Sequence, residues 1–190
     1  MMDTKRTDMP RWTREELGRQ IVSTASLHGT FTLRSGATSH VYFDKYLLES
    51  DPSLLHEIGR HLMPCIPDGM DALAGLEMGG IPLVTMLSHL TGLPALFVRK
   101  QAKTYGTCKL AEGGEIEGRR LAVVEDVVTS GGQILLSTQA LRERGAIIDT
   151  VLCIIDREAG GIAALSAAGL ELRSLFTRSQ LDLLRPPVEP

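Results

Sequence analysis

Blocks of apolar residues alternate with amphipathic stretches over the second half of the chain. Four apolar runs predict strands, at 71–76, 94–98, 120–124 and 147–155. Helical patterns lie between or after them, near 80–90, 132–144 and 158–168. Strands that alternate with helices predict an α/β fold with a mostly parallel central sheet flanked by helices. The run 151–155 lacks polar alternation, which is typical of a central strand covered on both faces.

The first part of the chain predicts a helix followed by two short strands. Thr13 and Glu16 form a capping box, which is typical of a helix start. The strands are predicted at 31–33 and 41–43, on either side of the turn-rich segment 35–39. A length of 190 residues predicts a single domain spanning 1–190.

Composition and charge exclude several classes of protein. Twenty Lys and Arg against 23 Asp and Glu give a net charge of −3, whereas general nucleic-acid binders carry a basic excess. No apolar stretch approaches the roughly 18 residues of a membrane-spanning helix, so no membrane association is expected. No apolar segment follows the basic start, so no secretory signal is expected. Three cysteines without a C-x-x-C pair predict reduced thiols in a cytoplasmic protein.

The segment 99–118 interrupts the regular pattern with four glycines and no apolar periodicity. Its basic residues all precede its first acid, and they are Arg99, Lys100, Lys103 and Lys109. A connection this long without secondary structure of its own is usually functional or disordered. The segment predicts a mobile loop that uses positive charge, the alternative being a solvated charged loop without a function.

The segment 121–133 carries the strongest chemical signal in the chain. An apolar strand ends at the acid pair Glu125 and Asp126, and a helix begins through Thr129, Ser130 and two glycines. Backbone N–H groups at a Gly-rich helix start bind anions, and ligands of parallel sheets lie at the carboxyl ends of strands. Carboxylates this close to a phosphate would repel it. Their presence is explained if they bind the hydroxyls of a sugar that carries the phosphate. The segment therefore predicts a ribose 5-phosphate site, the alternative being two surface acids beside a simple helix cap.

Motifs for other nucleotide sites and for metals are missing from the sequence. The P-loop lysine does not follow the glycines, and the turn lacks the G-x-G-x-x-G pattern of dinucleotide-binding folds. The five histidines are scattered, without the spacing of a zinc site. A metal site built from protein side chains is therefore not expected.

At these residues the sequence resembles the type I phosphoribosyltransferases, which bind 5-phosphoribosyl 1-pyrophosphate (PRPP) through this strand, acid pair and Thr-Ser-Gly-Gly loop. Within that superfamily it is similar to the orotate phosphoribosyltransferases over about residues 13–180. The matching segments occur in the same order, at 31–36, 42–45, 79–82, 99–103 and 155–157. The acid-pair segment alone indicates only the superfamily, whereas 31–36 and 156–157 indicate orotate. The resemblance implies the type I fold, with part of 1–45 forming a small N-terminal hood.

The resemblance implies transfer of the phosphoribosyl group from PRPP to orotate, which releases pyrophosphate and forms orotidine 5′-monophosphate in de novo pyrimidine biosynthesis. Fixed cations stabilise the charge that grows on the departing pyrophosphate. Lys103 is implied as the main catalytic cation, with Glu125 and Asp126 also catalytic, and Mg²⁺ is implied as a cofactor that PRPP itself binds. The residues implied in PRPP binding are Arg99, Lys100, Lys103, Tyr105, Glu125, Asp126, Val127, Val128, Thr129, Ser130, Gly131, Gly132 and Gln133.

The family also implies which residues hold orotate, a planar ring that bears a carboxylate. These residues are Arg34, Tyr42, Phe43, Thr129 and Arg157. The planar guanidinium of Arg157 suits a carboxylate, the alternative being a surface arginine at a helix start. Phe43 is equally compatible with a core position in a half-buried strand. The resemblance further implies a homodimer with shared active sites, in which the basic loop of one subunit reaches its neighbour.

Two positions depart from the family pattern. Position 105 is Tyr where many relatives have His, and a phenol with a pKa of about 10 cannot become a cation near neutral pH. Gly79 stands where some relatives have Lys before Gly-Ile-Pro. Both changes remove positive charge near pyrophosphate, which predicts greater dependence on Lys100, Lys103 and Mg²⁺.

Two other functions compete with orotate transfer. A transferase for a purine or another pyrimidine base leaves Arg34 and Arg157 without an obvious carboxylate partner. A regulator that senses PRPP or a nucleotide needs a surface for nucleic acid or protein, which the charge does not support. A sensor also has no use for the basic loop, since it stabilises no leaving group.

Overall fold

A computed structural model describes residues 11–32, 36, 38–101 and 109–185 of the chain. The strands are β1 (Ser26–Thr32), β2 (Thr38–Phe43), β3 (Ala72–Leu76), β4 (Ala95–Val98), β5 (Ala111–Glu112), β6 (Arg120–Val128), β7 (Ile147–Asp156) and β8 (Glu171–Thr177). Six of them form the main sheet in the order β5-β4-β3-β6-β7-β8, while β1 and β2 pair as an antiparallel hairpin. Within the main sheet all neighbouring strands are parallel except β5, which is antiparallel to β4. The α/β fold class with a mostly parallel sheet is confirmed.

The helices cover both faces of this sheet. They are α1 (Arg14–Ala25), α2 (Tyr46–Ser50), α3 (Pro52–Leu62), α4 (Gly80–Thr91), α5 (Gly132–Arg142), α6 (Gly161–Ala167) and α7 (Arg178–Asp182), with a 3-10 turn at Met63–Cys65. The capping box that begins α1 is present, because the Thr13 side chain accepts from Glu16 N and Glu16 Oε2 accepts from Thr13 N. No helix in the described ranges is long and apolar enough to cross a membrane.

Alternate residues of the central strands contribute to two separate hydrophobic cores. Val124 and Leu152 belong to the core shared with α1, α3 and α4. Val123 and Val151, one position away in each strand, belong to the core shared with α5 and α6. Residues 151–155 are at most 3% exposed, so the prediction of a strand covered on both faces is confirmed.

The predicted strands and helices of the second half correspond to β3, β4, β6, β7, α4, α5 and α6. The edge strands β5 and β8 were not predicted. In β8 the exposed Glu171 and the half-buried Arg173 and Ser174 break any apolar run, because one side of an edge strand meets solvent. The structure also places β5 within the predicted loop 99–118, where Ala111 and Glu112 pair with β4.

Candidate active site

The carboxyl ends of neighbouring parallel strands meet at one edge of the main sheet. Arg99 and Lys100 follow β4, Thr129 follows β6 and Arg157 follows β7. The Arg157 N–H donates to the carbonyl of Val128 over 2.9 Å, which joins the loop after β7 to the loop after β6. The fold thus brings together segments that the sequence separates by almost 60 positions.

The loop between β6 and α5 forms an anion cradle. Thr129 and Ser130 are exposed, and Gly131 has a φ of +77° immediately before the first turn of α5. Helix α6 begins directly against this loop, since a Cβ on Gly161 would lie 2.5 Å from the carbonyl oxygen of Thr129. The N–H groups at the start of α5 are therefore held at a fixed position, open to a phosphate.

Not every predicted residue of this segment presents its side chain to a ligand. The side chain of Val128 is 1% exposed and lies in the core, so only its backbone faces the loop. The side chain of Val127 lines a cavity next to the loop. Gln133 donates from Nε2 to Ser137 Oγ over 3.2 Å along α5.

A cluster of ionisable side chains lies at the end of β6. Asp126 is 1% exposed, and its Oδ2 lies 2.6 Å from Lys45 Nζ. Its Oδ1 accepts from the N–H of Val127 at 2.6 Å, while its own N–H donates to Glu125 Oε1 at 3.1 Å. Glu49 of α2 also interacts with Asp126. Three carboxyl groups therefore share one ammonium group.

Burial and mutual repulsion distribute the charge of this cluster unequally. Burial, followed by the interactions with Asp126, raises the pKa of Glu125 to about 9 and that of Glu49 to about 8. Burial acts in the same direction on Asp126, but hydrogen bonding with Glu125 and the contact with Lys45 outweigh it and lower the pKa of Asp126. At neutral pH the cluster therefore holds one carboxylate, Asp126, and two protonated carboxyl groups.

Glu125→Gln is expected to make stability less dependent on pH. The pKa of Glu125 is about 9 in the folded protein against an ordinary value of 4.5, so its favourable contribution is complete below pH 4.5 and is lost as pH rises through about 9. Thermal unfolding of the ligand-free protein at a series of pH values measures this. The wild type should lose more Tm than Glu125→Gln between about pH 7 and about pH 9. Glu117→Gln removes an exposed carboxyl and should follow the wild type; equal losses in wild type and Glu125→Gln would contradict the expectation.

A cavity of about 410 Å³ lies beside the acid cluster, beneath the hairpin. It brings together three of the predicted orotate-binding residues, namely Tyr42, Phe43 and Arg157. Phe43 lines the cavity and also packs against the hydrophobic core, so its contact with the core is confirmed and its role in orotate binding stays a prediction. The remaining lining residues are Val22, Lys45, Val127, Ile155, Arg178, Leu181, Asp182 and Arg185.

The cavity has an excess of positive charge. Arg178 and Arg185 both pair with Asp182, at 3.4 and 2.9 Å. Arg157 forms no ion pair with any residue in the described part of the chain. Its guanidinium is therefore available to a small anion that enters the cavity.

Three predicted site residues, Arg34, Lys103 and Tyr105, lie outside the described residues. Of the neighbouring basic residues, Arg99 lies 3.6 Å from Glu112 of β5, measured from Nε to Oε1. The backbone N–H of Lys100 donates to Glu77 Oε1 at 2.5 Å, which ties the start of the basic segment to the end of β3.

Sequence reasoning missed three basic residues of the cavity as site residues, namely Lys45, Arg178 and Arg185. Arg178 had a signal, because Thr177 and Gln180 form a capping box and so predict the start of α7. Glu158 fixes α7 beside Arg157, since its carboxylate accepts from both the backbone and the hydroxyl of Ser179. Lys45 lies in the segment 42–45 that matches the family, but nothing in that segment indicates its contact with Asp126.

The fold and this edge of its sheet place the chain among the type I phosphoribosyltransferases. The chain resembles the crystal structure of Mycobacterium tuberculosis orotate phosphoribosyltransferase in complex with Fe(III) dicitrate, with a TM-score of 0.81 and 33% identity over 88% of this chain and 98% of the other. The PRPP complex of the same enzyme gives a TM-score of 0.77 at 29% identity, over 89% of this chain and 98% of that one.

Curated relatives show which family of type I phosphoribosyltransferases the chain is similar to. The chain is 52% identical to the orotate phosphoribosyltransferase of a Nocardioides species, over 89% of this chain and 94% of the relative. It is 44% identical to the orotate phosphoribosyltransferase of Methanocella arvoryzae, over 83% of this chain and 90% of the relative. No family model matches the sequence. The chain belongs to the orotate phosphoribosyltransferase family.

Proposed function

We propose that this chain transfers the phosphoribosyl group of PRPP to orotate in pyrimidine biosynthesis. The C1–O bond to pyrophosphate breaks and its electron pair leaves with pyrophosphate. Orotate N1 gives up its proton to solvent and bonds to C1, which gives orotidine 5′-monophosphate. The observation that carries this proposal is Arg157, an arginine without an ion-pair partner among the described residues, in a cavity beside the anion cradle. A base without a carboxylate would leave that guanidinium unused.

The roles of the residues follow from their places at the sheet edge. The 5′-phosphate binds in the cradle 129–132, whose N–H groups and hydroxyls are open to an anion. Glu125 and Asp126 form hydrogen bonds with the ribose hydroxyls next to that cradle. Arg99, Lys100 and above all Lys103 stabilise the charge on departing pyrophosphate.

Magnesium fits this site as an ion that the substrate carries. The described residues include no group of three or more His, Cys, Asp or Glu that could hold a metal ion by themselves. Mg²⁺ in such sites uses one or two carboxylates together with the phosphates of the substrate, and Asp126 supplies a carboxylate of that type. When bound, the ion neutralises part of the pyrophosphate charge.

The proposed function is tested by following orotate absorbance after PRPP and Mg²⁺ are added to the purified protein. PRPP-dependent loss of orotate supports the assignment. Consumption of a different base, with orotate untouched, would keep the sugar site and refute the orotate assignment.

We also propose that the reaction takes place in the cytoplasm, which the absence of any paired-cysteine motif in the sequence supports.

We further propose a homodimer in which Lys103 of one subunit acts in the site of the other. Mixing Lys103→Ala with Arg157→Ala subunits tests it, because a mixed dimer then has one site with both residues intact. Activity should recover to about a quarter of the wild-type value after exchange of subunits, since about half of the dimers are mixed. Each variant alone is the control. Absence of recovery, with mixed dimers verified by mass spectrometry, would show that Lys103 acts within its own subunit.

A further inference from the structure

Lys45 connects the hairpin to the acid cluster at the edge of the main sheet. It follows β2 directly, lines the proposed base cavity and places its Nζ 2.6 Å from Asp126 Oδ2. The Lys45 side chain is 35% exposed, whereas that of Asp126 is 1% exposed. Lys45 is thus the solvent-facing partner of a buried carboxylate.

A glycine also lies next to the same carboxylate oxygen. A Cβ built on Gly79 would lie only 1.9 Å from Asp126 Oδ2. A side chain at position 79 is therefore incompatible with Asp126 in its present place. A cation for Asp126 cannot come from position 79, and Lys45 supplies it from the hairpin instead.

Asp126 Oδ2 is buried at the end of β6. Among the described residues its ion-pair partner is Lys45, and the carboxyl groups of Glu125 and Glu49 also interact with Asp126. The N–H of Val127 holds the other oxygen, Oδ1, at 2.6 Å, so the protein fixes both oxygens of this carboxylate. A charged acceptor binds a hydroxyl about twice as strongly as a neutral one.

We propose that Lys45 is a positioning residue of the sugar site, which fixes the carboxylate of Asp126 in the orientation that receives the ribose hydroxyls. The ammonium fixes the orientation of this carboxylate through the contact at 2.6 Å. This proposal rests on the proposed function, since it assigns Asp126 to the ribose of PRPP.

Two variants and two probes test the proposal by calorimetry on the purified chain. Lys45→Met removes the ammonium and keeps an apolar stem, while Lys45→Arg keeps the charge. Lys45→Met should bind ribose 5-phosphate about tenfold more weakly than the wild type, since a hydrogen bond to a charged group is lost or weakened. Its affinity for inorganic phosphate should not change, because phosphate needs only the cradle. Lys45→Arg should recover most of the loss.

A matched control removes a cation from an exposed ion pair of the same length. Arg19 lies 2.6 Å from Glu15 on α1, and Arg19→Met should bind both probes as the wild type does. The proposal would be overturned if wild type and Lys45→Met bound ribose 5-phosphate with equal affinity. It would also be overturned if Lys45→Met lost the same affinity for ribose 5-phosphate and for inorganic phosphate, because that result indicates general damage to the site. Failure of the proposed function would give a different result. The wild-type protein would then bind ribose 5-phosphate but would not consume orotate in the absorbance assay.

Discussion

Arg157→Ala is expected to lower kcat/KM for orotate by at least about 100-fold. Truncating one partner of a hydrogen-bonded charge pair costs about 2–5 kcal/mol, and about 3 kcal/mol corresponds to this factor. The loss should fall mainly on KM for orotate, because the cradle for PRPP is formed by other residues. Steady-state kinetics with orotate varied at saturating PRPP measures it.

Two further variants show whether Arg157 or another arginine of the cavity holds the carboxylate. Arg157→Lys keeps a charge without the planar fork and should recover only part of the activity. Arg178→Ala should have a smaller effect, because Arg178 already pairs with Asp182. The opposite order, with Arg178→Ala the more damaging change, would move the carboxylate to Arg178.

The sugar and phosphate site could be predicted from the sequence because it is formed by one continuous segment. Strand β6, the acid pair and the start of α5 are neighbours in the chain, so local patterns define them together. The position of Arg157 beside this segment was also predictable in outline, since β6 and β7 are consecutive and parallel.

The base cavity could be predicted only in part, because its walls come from distant segments. Lys45 follows the hairpin, whereas Arg178 and Arg185 lie near the far end of the described chain. Nothing in the residues around Lys45 indicates that it meets Asp126, about 80 positions later, because the contact depends on how the hairpin packs on the sheet. The charge distribution was equally unpredictable, since adjacent Glu125 and Asp126 differ only through their surroundings.

Asp126→Asn is expected to lower kcat/KM for PRPP by at least about 100-fold. A hydrogen bond to a charged group contributes about 1.5–3 kcal/mol, and about 3 kcal/mol corresponds to a factor of about 100. The substitution removes the charged acceptor of the ribose hydroxyls and the ion-pair partner of Lys45, 2.6 Å away. The amide is also a weaker acceptor for a ribose hydroxyl than a carboxylate. Initial rates with PRPP varied at saturating orotate measure the change.

The neighbouring acid provides the matched control for Asp126→Asn. Glu125 holds its proton at neutral pH because its pKa is about 9, so Glu125→Gln changes little charge. It should therefore reduce kcat/KM for PRPP much less than Asp126→Asn does, although the two substitutions are chemically alike. Equal losses in both variants would mean that the two carboxyl groups are equivalent toward the sugar. That result would contradict the unequal distribution of charge that burial and Lys45 impose on the pair.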